Sequence, residues 1–172
     1  AAVYFDAAPI GSDIQSILAD PPPELRSRYF VLPWGEQYEH CKIKWSGSVE
    51  AYLKSLTSKN RSNMKRPVQK VEGSGVKLTV KRFQQPTEID DFLCDGIAIS
   101  DKTYQKRLGS GLTRGGDREA MIRFAAGRGR FLAHVLYADD QPAAFQYALI
   151  DRQTLYGLEM GYDPAYAHLQ IG

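Results

Sequence analysis

A chain of 172 residues, 43% hydrophobic and 24% charged, is long and apolar enough to bury a core, and fits one domain with room for an accessory segment. A net charge of +2 is too small to drive nucleic-acid binding through bulk electrostatics, so any basic function must be local. The two cysteines, Cys41 and Cys94, lack zinc-site or disulfide-framework spacing, no metal site is expected, and no apolar run approaches the ~18 residues of a membrane span; the setting this implies is reducing and cytoplasmic.

Residues 1–46 read as an accessory segment. Val3 to Phe5 is a candidate strand, Ser12 to Ala19 a short helix, and Pro21-Pro22-Pro23 a stiff break. Tyr29 to Leu32 and Tyr38 to Trp45 are two further candidate strands around Pro33-Trp34-Gly35. The chain starts at Ala1 rather than Met, and the pattern at Gly172 is unfinished, so a trimmed chain is expected.

From Ser48 the pattern turns helical, with Val49, Tyr52, Leu53 and Leu56 on one stripe. A second helix is predicted from Ser58 to Glu72, with a kink or restart at Pro67, ended by Gly73-Ser74-Gly75. Val76 to Phe83 alternates as a strand with one wet face. Thr87 is the expected N-cap of a helix turning Ile89, Phe92, Leu93 and Ile97 inward, and a further helix from Asp117 to Gly127 is expected to bury Met121, Phe124 and Ala125. The glycine-rich stretch 109–116 matches no phosphate-binding fingerprint and reads as a flexible connection near the substrate side. Phe131 to Tyr137, Ala143 to Ile150 and Thr154 to Gly161 then read as three strands of an antiparallel meander.

The last of these strands carries the main candidate for chemistry. Strict alternation puts Gly157, Glu159 and Gly161 on one face, so that the Glu159 carboxylate stands in open space between two residues without side chains. Such a group would serve as a general base; the competing reading is an ion-paired glutamate in a sheet whose glycines ease packing. His168 is a second candidate base, whereas His134 and His40 read as structural. Tyr104, Arg107 and Gln146 are candidate acceptor contacts, the first two because they precede the glycine-rich loop and the third because it shares a strand face with Ala144 and Ala148. On a helix, Lys59, Asn63, Arg66 and Lys70 form one stripe and Arg61 and Lys65 a neighbouring one; this basic face suits phosphate, an acidic glycan, a lipid head group or RNA, or simply solvent.

The run from Gly161 to Gly172, with its Tyr162-Asp163-Pro164 core, resembles the end of the fourth strand and the approach to the acyl-CoA loop in GNAT-like acetyltransferases associated with cellulose biosynthesis. The turn at Asp139-Asp140-Gln141-Pro142 and the basic segment from Lys59 to Arg66 resemble the same family, which then covers about Ser48 to Gly172. Pro67 departs from its usually uninterrupted basic helix. The resemblance implies an α+β, three-layer GNAT-like fold, a mostly antiparallel sheet with helices on both faces, incomplete at the C-terminus, with residues 47–172 as the transferase domain cut before the cofactor-binding helix. It implies acetyl-CoA or another acyl-CoA as co-substrate, gripped by Gly161, Tyr162 and Gly172 with phosphate contacts from Arg61 and Lys65. The expected reaction is acyl transfer to an amine or hydroxyl of a sugar, glycan or small molecule, with Glu159 taking the proton. The alternatives are a Fem-type transferase using aminoacyl-tRNA, or a domain of the same shape that only binds.

Overall fold

Four strands form one antiparallel sheet in the order β1-β2-β3-β4, with β1 at Leu78–Phe83, β2 at Phe131–Ala138, β3 at Gln141–Asp151 and β4 at Thr154–Tyr162. The computed structural model describes residues 10–32 and 41–171. The β2–β3 hairpin closes on Asp139 and Asp140, both left-handed (φ 47° and 64°), the backbone twist that a two-residue turn requires. Asp139 also holds the start of β1: its Oδ1 accepts from the Lys77 N–H at 3.0 Å and its own N–H donates to the Lys77 carbonyl at 2.9 Å.

The chain divides into a unit of residues 1–44 and a unit of residues 45–172. In the first, α1 (Asp13–Ala19) is capped by Ser12 and α2 (Pro23–Arg26) starts on a proline. Tyr29 to Leu32 and the described part of the other candidate strand, 41–45, are not strands, and their apolar side chains Phe30 and Trp45 stay exposed; without a pairing partner an apolar run has no ladder to join. Val3 to Phe5, the Pro33-Trp34-Gly35 turn and His40 lie outside the described residues.

In the second unit, α3 (Val49–Ser55) and α4 (Ser58–Glu72) precede the sheet. α4 runs unbroken through Pro67, contrary to the predicted restart. The carbonyl of Asn63, which Pro67 cannot serve, belongs to an exposed residue, where solvent can serve it instead. After β1 a 3-10 turn (Pro86–Glu88) leads into α5 (Ile89–Ser100). Gln85 and Glu88 form a reciprocal capping box there, so Thr87 is not the cap. The Glu88 carboxylate accepts from the N–H groups of Gln84 and Gln85, and those bonds hold it below the usual carboxylate range.

Residues Ile89, Phe92, Leu93, Gly96 and Ile99 recur at helical spacing and bury one face of α5. Phe92 is the hub: its ring meets Phe83, Phe131, Phe145 and Tyr147 with centroids 5.5–6.4 Å away, mostly edge to face. Beyond the short α6 (Tyr104–Arg107), α7 (Gly116–Ala126) adds Ile122, Ala125 and Ala126 to the same core. Phe124 was expected inside, yet it stands 62% exposed under the Arg128 guanidinium; the buried stripe passes through Ile122, Ala125 and Ala126 instead.

The architecture is thus α+β with a mostly antiparallel sheet, as the sequence implied. α5 and α7 pack on one face, against Phe83, Ala133, Val135, Phe145 and Tyr147. The opposite face carries Val80 and Met160, each 63% exposed, on either side of Leu136 and Gln146.

The Gly161 backbone lies against the Phe145 ring, where an added Cβ would fall 2.7 Å from a ring carbon, whereas a Cβ on Gly157 would meet nothing within 4 Å. Gly161→Ala is therefore expected to cost about 1–3 kcal/mol of unfolding free energy through overpacking. Gly157→Ala should stay within about 0.5 kcal/mol of the wild type. Urea denaturation of the two variants checks the contrast.

Candidate functional site

Directly paired residues of an antiparallel ladder lie on the same face, so the register of β3 and β4 decides where Glu159 points. Tyr147 pairs with Glu159, but the next residue, Ala148, pairs with Gly157, leaving Leu158 as an extra residue in a β-bulge. The bulge breaks the alternation assumed from sequence. Glu159 and Gly161 face the helices with Tyr147 and Phe145, while Gly157 turns to the other side with Ala148. The two glycines therefore do not open a slot around the carboxylate: the space at Gly161 is filled by Phe145, and that at Gly157 lies on the opposite face.

The Glu159 side chain is only 13% exposed and is clamped. Its Oε2 accepts from the Tyr147 hydroxyl at 2.9 Å and from Arg118 Nη1 at 3.0 Å. Arg118, on the first turn of α7, donates from the same nitrogen to the Gly111 carbonyl at 2.8 Å, so one guanidinium joins β4 to the glycine-rich loop. Oε1 of Glu159 is buried and has no hydrogen-bond partner. Burial, together with the adjacent Glu159 charge, pushes the Tyr147 phenol well above its ordinary range, so it remains a donor throughout the physiological pH range.

The loop is pinned rather than free. Leu112 is fully buried and its N–H donates to Ser100 Oγ at 2.9 Å, and the Gly115 N–H donates to Glu119 at 2.8 Å. Asp90 on α5 accepts from both Arg114 (2.8 Å) and Arg123 (2.6 Å). The hydrogen bonds from Arg123 and Arg114 hold the Asp90 carboxyl below its usual range.

At the end of β4 the Tyr-Asp-Pro turn opens a 3-10 helix, Pro164–Leu169. Asp163 is buried there, caps the Ala165 N–H at 3.0 Å, and pairs with Lys102, just past α5, at 2.6 Å. α4, which carries the basic segment, packs against this 3-10 helix. Arg61 donates from Nη2 to the Leu56 carbonyl at 3.1 Å, while its Nε is buried without a partner. Neither Arg61 nor Lys65 pairs with a carboxylate among the described residues.

On the open face of the sheet a groove of about 610 Å³ is walled by His134, Leu136, Gln146, Tyr104 and Tyr162. A neighbouring cavity of about 210 Å³ shares His134, Gln146 and Met160 and reaches Gly157 and Glu159. Tyr104, Gln146, Gly161 and Tyr162 are thus brought to one groove, which lies mainly across the sheet from the Glu159 carboxylate. His168 is exposed, with its Nδ1 3.1 Å from the carbonyl of Ala165 in its own turn, and is not joined to Glu159. The side chain of Arg107 and the whole of Gly172 lie outside the described residues. His134, read from sequence as structural, forms part of the groove wall opposite Gln146; burial and the nearby Arg82 charge lower its pKa, which favours neutral imidazole.

Sequence reasoning missed Tyr147 and Arg118. Tyr147 alternates with Phe145 and Leu149 as a core aromatic would, and Arg118 sits among the charged residues of a helix start, so neither carries a local signal. Cys41 and Cys94 are free and exposed, and among the described residues no group of His, Cys, Asp and Glu side chains could hold a metal ion. No described helix is long and apolar enough to cross a membrane.

The family model described as acetyltransferase (GNAT) domain matches residues 58–172, about two thirds of the chain. No curated protein matches.

Burial alone would raise the Asp163 pKa, but the hydrogen bonds from Lys102 and the Ala165 N–H outweigh it, so the folded value lies below the ordinary one. Its contribution to stability is therefore present above the unfolded value of about 3.9 and is lost as pH falls through the lower folded value. Asp163→Ala should cost about 1–2 kcal/mol at neutral pH, the usual scale for a lost cap. The gap to wild type, measured by urea unfolding across pH, should narrow below about pH 4.

Proposed function

Because the chain belongs to the GNAT acetyltransferase family, we propose that it moves an acetyl or other acyl group from coenzyme A to an amine or hydroxyl of a sugar or small-molecule acceptor, with Glu159 as the general base. The observation that carries this reading is the buried Glu159 carboxylate with one oxygen clamped and the other unpartnered. A buried acceptor without a donor costs free energy, and a group that arrives with a proton to give removes that cost. In the reaction the acceptor gives its proton to Glu159 as it attacks the thioester carbonyl. The C–S bond then breaks, and the sulfur leaves as the thiol after taking up a proton. Fixing the two reactants together supplies much of the rate, and no metal is needed for this step.

The donor's phosphates are assigned to the basic face of α4. Arg61 has a guanidinium nitrogen without a partner, Lys65 has no counter-ion among the described residues, and the helix packs beside the 3-10 turn that ends β4. Arginine and lysine donors in such a position suit a diphosphate. Tyr162 and Gly161, at the end of β4, are assigned to the pantetheine side. The acceptor's reacting group is assigned to the smaller cavity that Glu159, Tyr147 and Gln146 line, and the rest of the acceptor to the adjoining groove beside Tyr104. Aromatic and amide side chains together in a groove favour a sugar, which supports a place in polysaccharide production.

Glu159→Gln should lower kcat for acetyl transfer by about 10²–10⁴-fold, the usual yield of a positioned base, and leave acetyl-CoA affinity unchanged. Equal turnover in the variant, read by thiol release, would remove Glu159 from the mechanism. Arg61→Ala should weaken acetyl-CoA binding by about tenfold or more, since a hydrogen bond to a charged group contributes about 1.5–3 kcal/mol. Calorimetric titration reads that change, and an unaltered affinity would take α4 out of the donor site.

A further inference from the structure

The two oxygens of Glu159 have different tasks. Oε2 already receives the Tyr147 hydroxyl and the Arg118 guanidinium, whereas Oε1 is buried and empty of partners. In the reaction proposed above Oε1 is the oxygen left to take the acceptor's proton, from the side of the smaller cavity that Glu159 lines.

Charge then discriminates between acceptors. The groups that face the carboxylate are the neutral Tyr147 hydroxyl from β3 and the Arg118 cation from α7, itself fixed by the Gly111 carbonyl. The single negative charge of Glu159 is thus already matched. An alkyl amine is an ammonium ion near neutral pH; at Oε1 it would place a second cation across one carboxylate from Arg118, and among the described residues no second carboxylate pairs with Arg118 to offset it. A hydroxyl brings an O–H donor and no charge. We infer that the acceptor group is a hydroxyl, that the reaction is O-acyl transfer, and that Arg118 sets this preference. Arg118 touches no reacting atom; it acts through Glu159, neutralising the carboxylate and fixing Oε2 so that Oε1 is presented.

The balance is that of ester formation. The hydroxyl proton passes to Oε1 while the hydroxyl oxygen bonds to the thioester carbonyl carbon. The C–S bond breaks, the proton returns from Glu159 to the sulfur directly or through water, and an ester and coenzyme A thiol leave. The Arg118 side chain is 41% exposed, so solvent screens part of its charge and the preference is a matter of tens rather than thousands.

This inference rests on the acyl-transfer reading, and one experiment separates the two. The full chain is given acetyl-CoA with methyl glucoside or with its 2-amino-2-deoxy counterpart. Thiol release gives kcat/KM, and mass spectrometry with hydroxylamine cleavage distinguishes ester from amide. Wild type should form ester and should form amide with kcat/KM at least about tenfold lower, a difference of about 1.4 kcal/mol. Arg118→Gln should raise the amide-to-ester ratio at least about tenfold, and Arg118→Lys should restore the wild-type ratio. Amide as the main wild-type product overturns the inference and leaves acyl transfer standing. So does a ratio that Arg118→Gln does not move while its urea midpoint shows a folded protein. No thiol release with either sugar counts against the acyl-transfer reading itself, and the inference goes with it.

Discussion

The buried carboxylate of Glu159 is the constraint around which the second unit of the chain is arranged. A carboxylate taken out of water must be paired and hydrogen-bonded, and it is served from two different elements: Tyr147 across the hairpin and Arg118 from the start of α7. Because Arg118 also holds the Gly111 carbonyl, the same contact fixes the loop that precedes α7. Strand, helix and loop thus meet at one charge, and the meeting leaves one oxygen of that charge without a partner. A purely structural ion pair would gain by satisfying both oxygens, so the unpartnered Oε1 is the observation on which the proposed role of Glu159 rests.

What places Glu159 there is a single extra residue. Without the bulge at Leu158, β4 would keep Gly157 and Glu159 on one face; with it, the glycine turns away and the glutamate meets Tyr147. An aromatic core lies beneath it. Phe92 engages four rings at once, one of which, Phe145, fills the space beside Gly161. Further along, Asp163 and Lys102 tie the end of β4 to the residues after α5.

Much of the fold was legible in the sequence because its elements announce themselves locally. The three strands of the meander alternate and are separated by two-residue turns, and α5 shows its buried face at helical spacing. Glu159 stood out by residue type, but the open slot expected around it is absent. A bulge is a property of pairing between two strands, and period-two reading of one strand cannot reveal it. Arg118 and Tyr147 were invisible for the same reason: their contacts exist only when they are brought to Glu159 from 41 and 12 positions away. Phe124 shows the converse error, a large apolar side chain assigned to the core by type but left outside, stacked beneath Arg128.

The claim on which the account depends is that an acceptor's donor group fills the vacancy at Oε1. Carbon-13 NMR of glutamate side-chain carboxyls tests it directly, with the Glu159 signal identified by its loss in Glu159→Gln. On adding methyl glucoside in the presence of coenzyme A, the account predicts that this signal shifts while that of Glu88, already satisfied by backbone N–H groups, stays in place. A Glu159 signal that does not move when the sugar binds would contradict it.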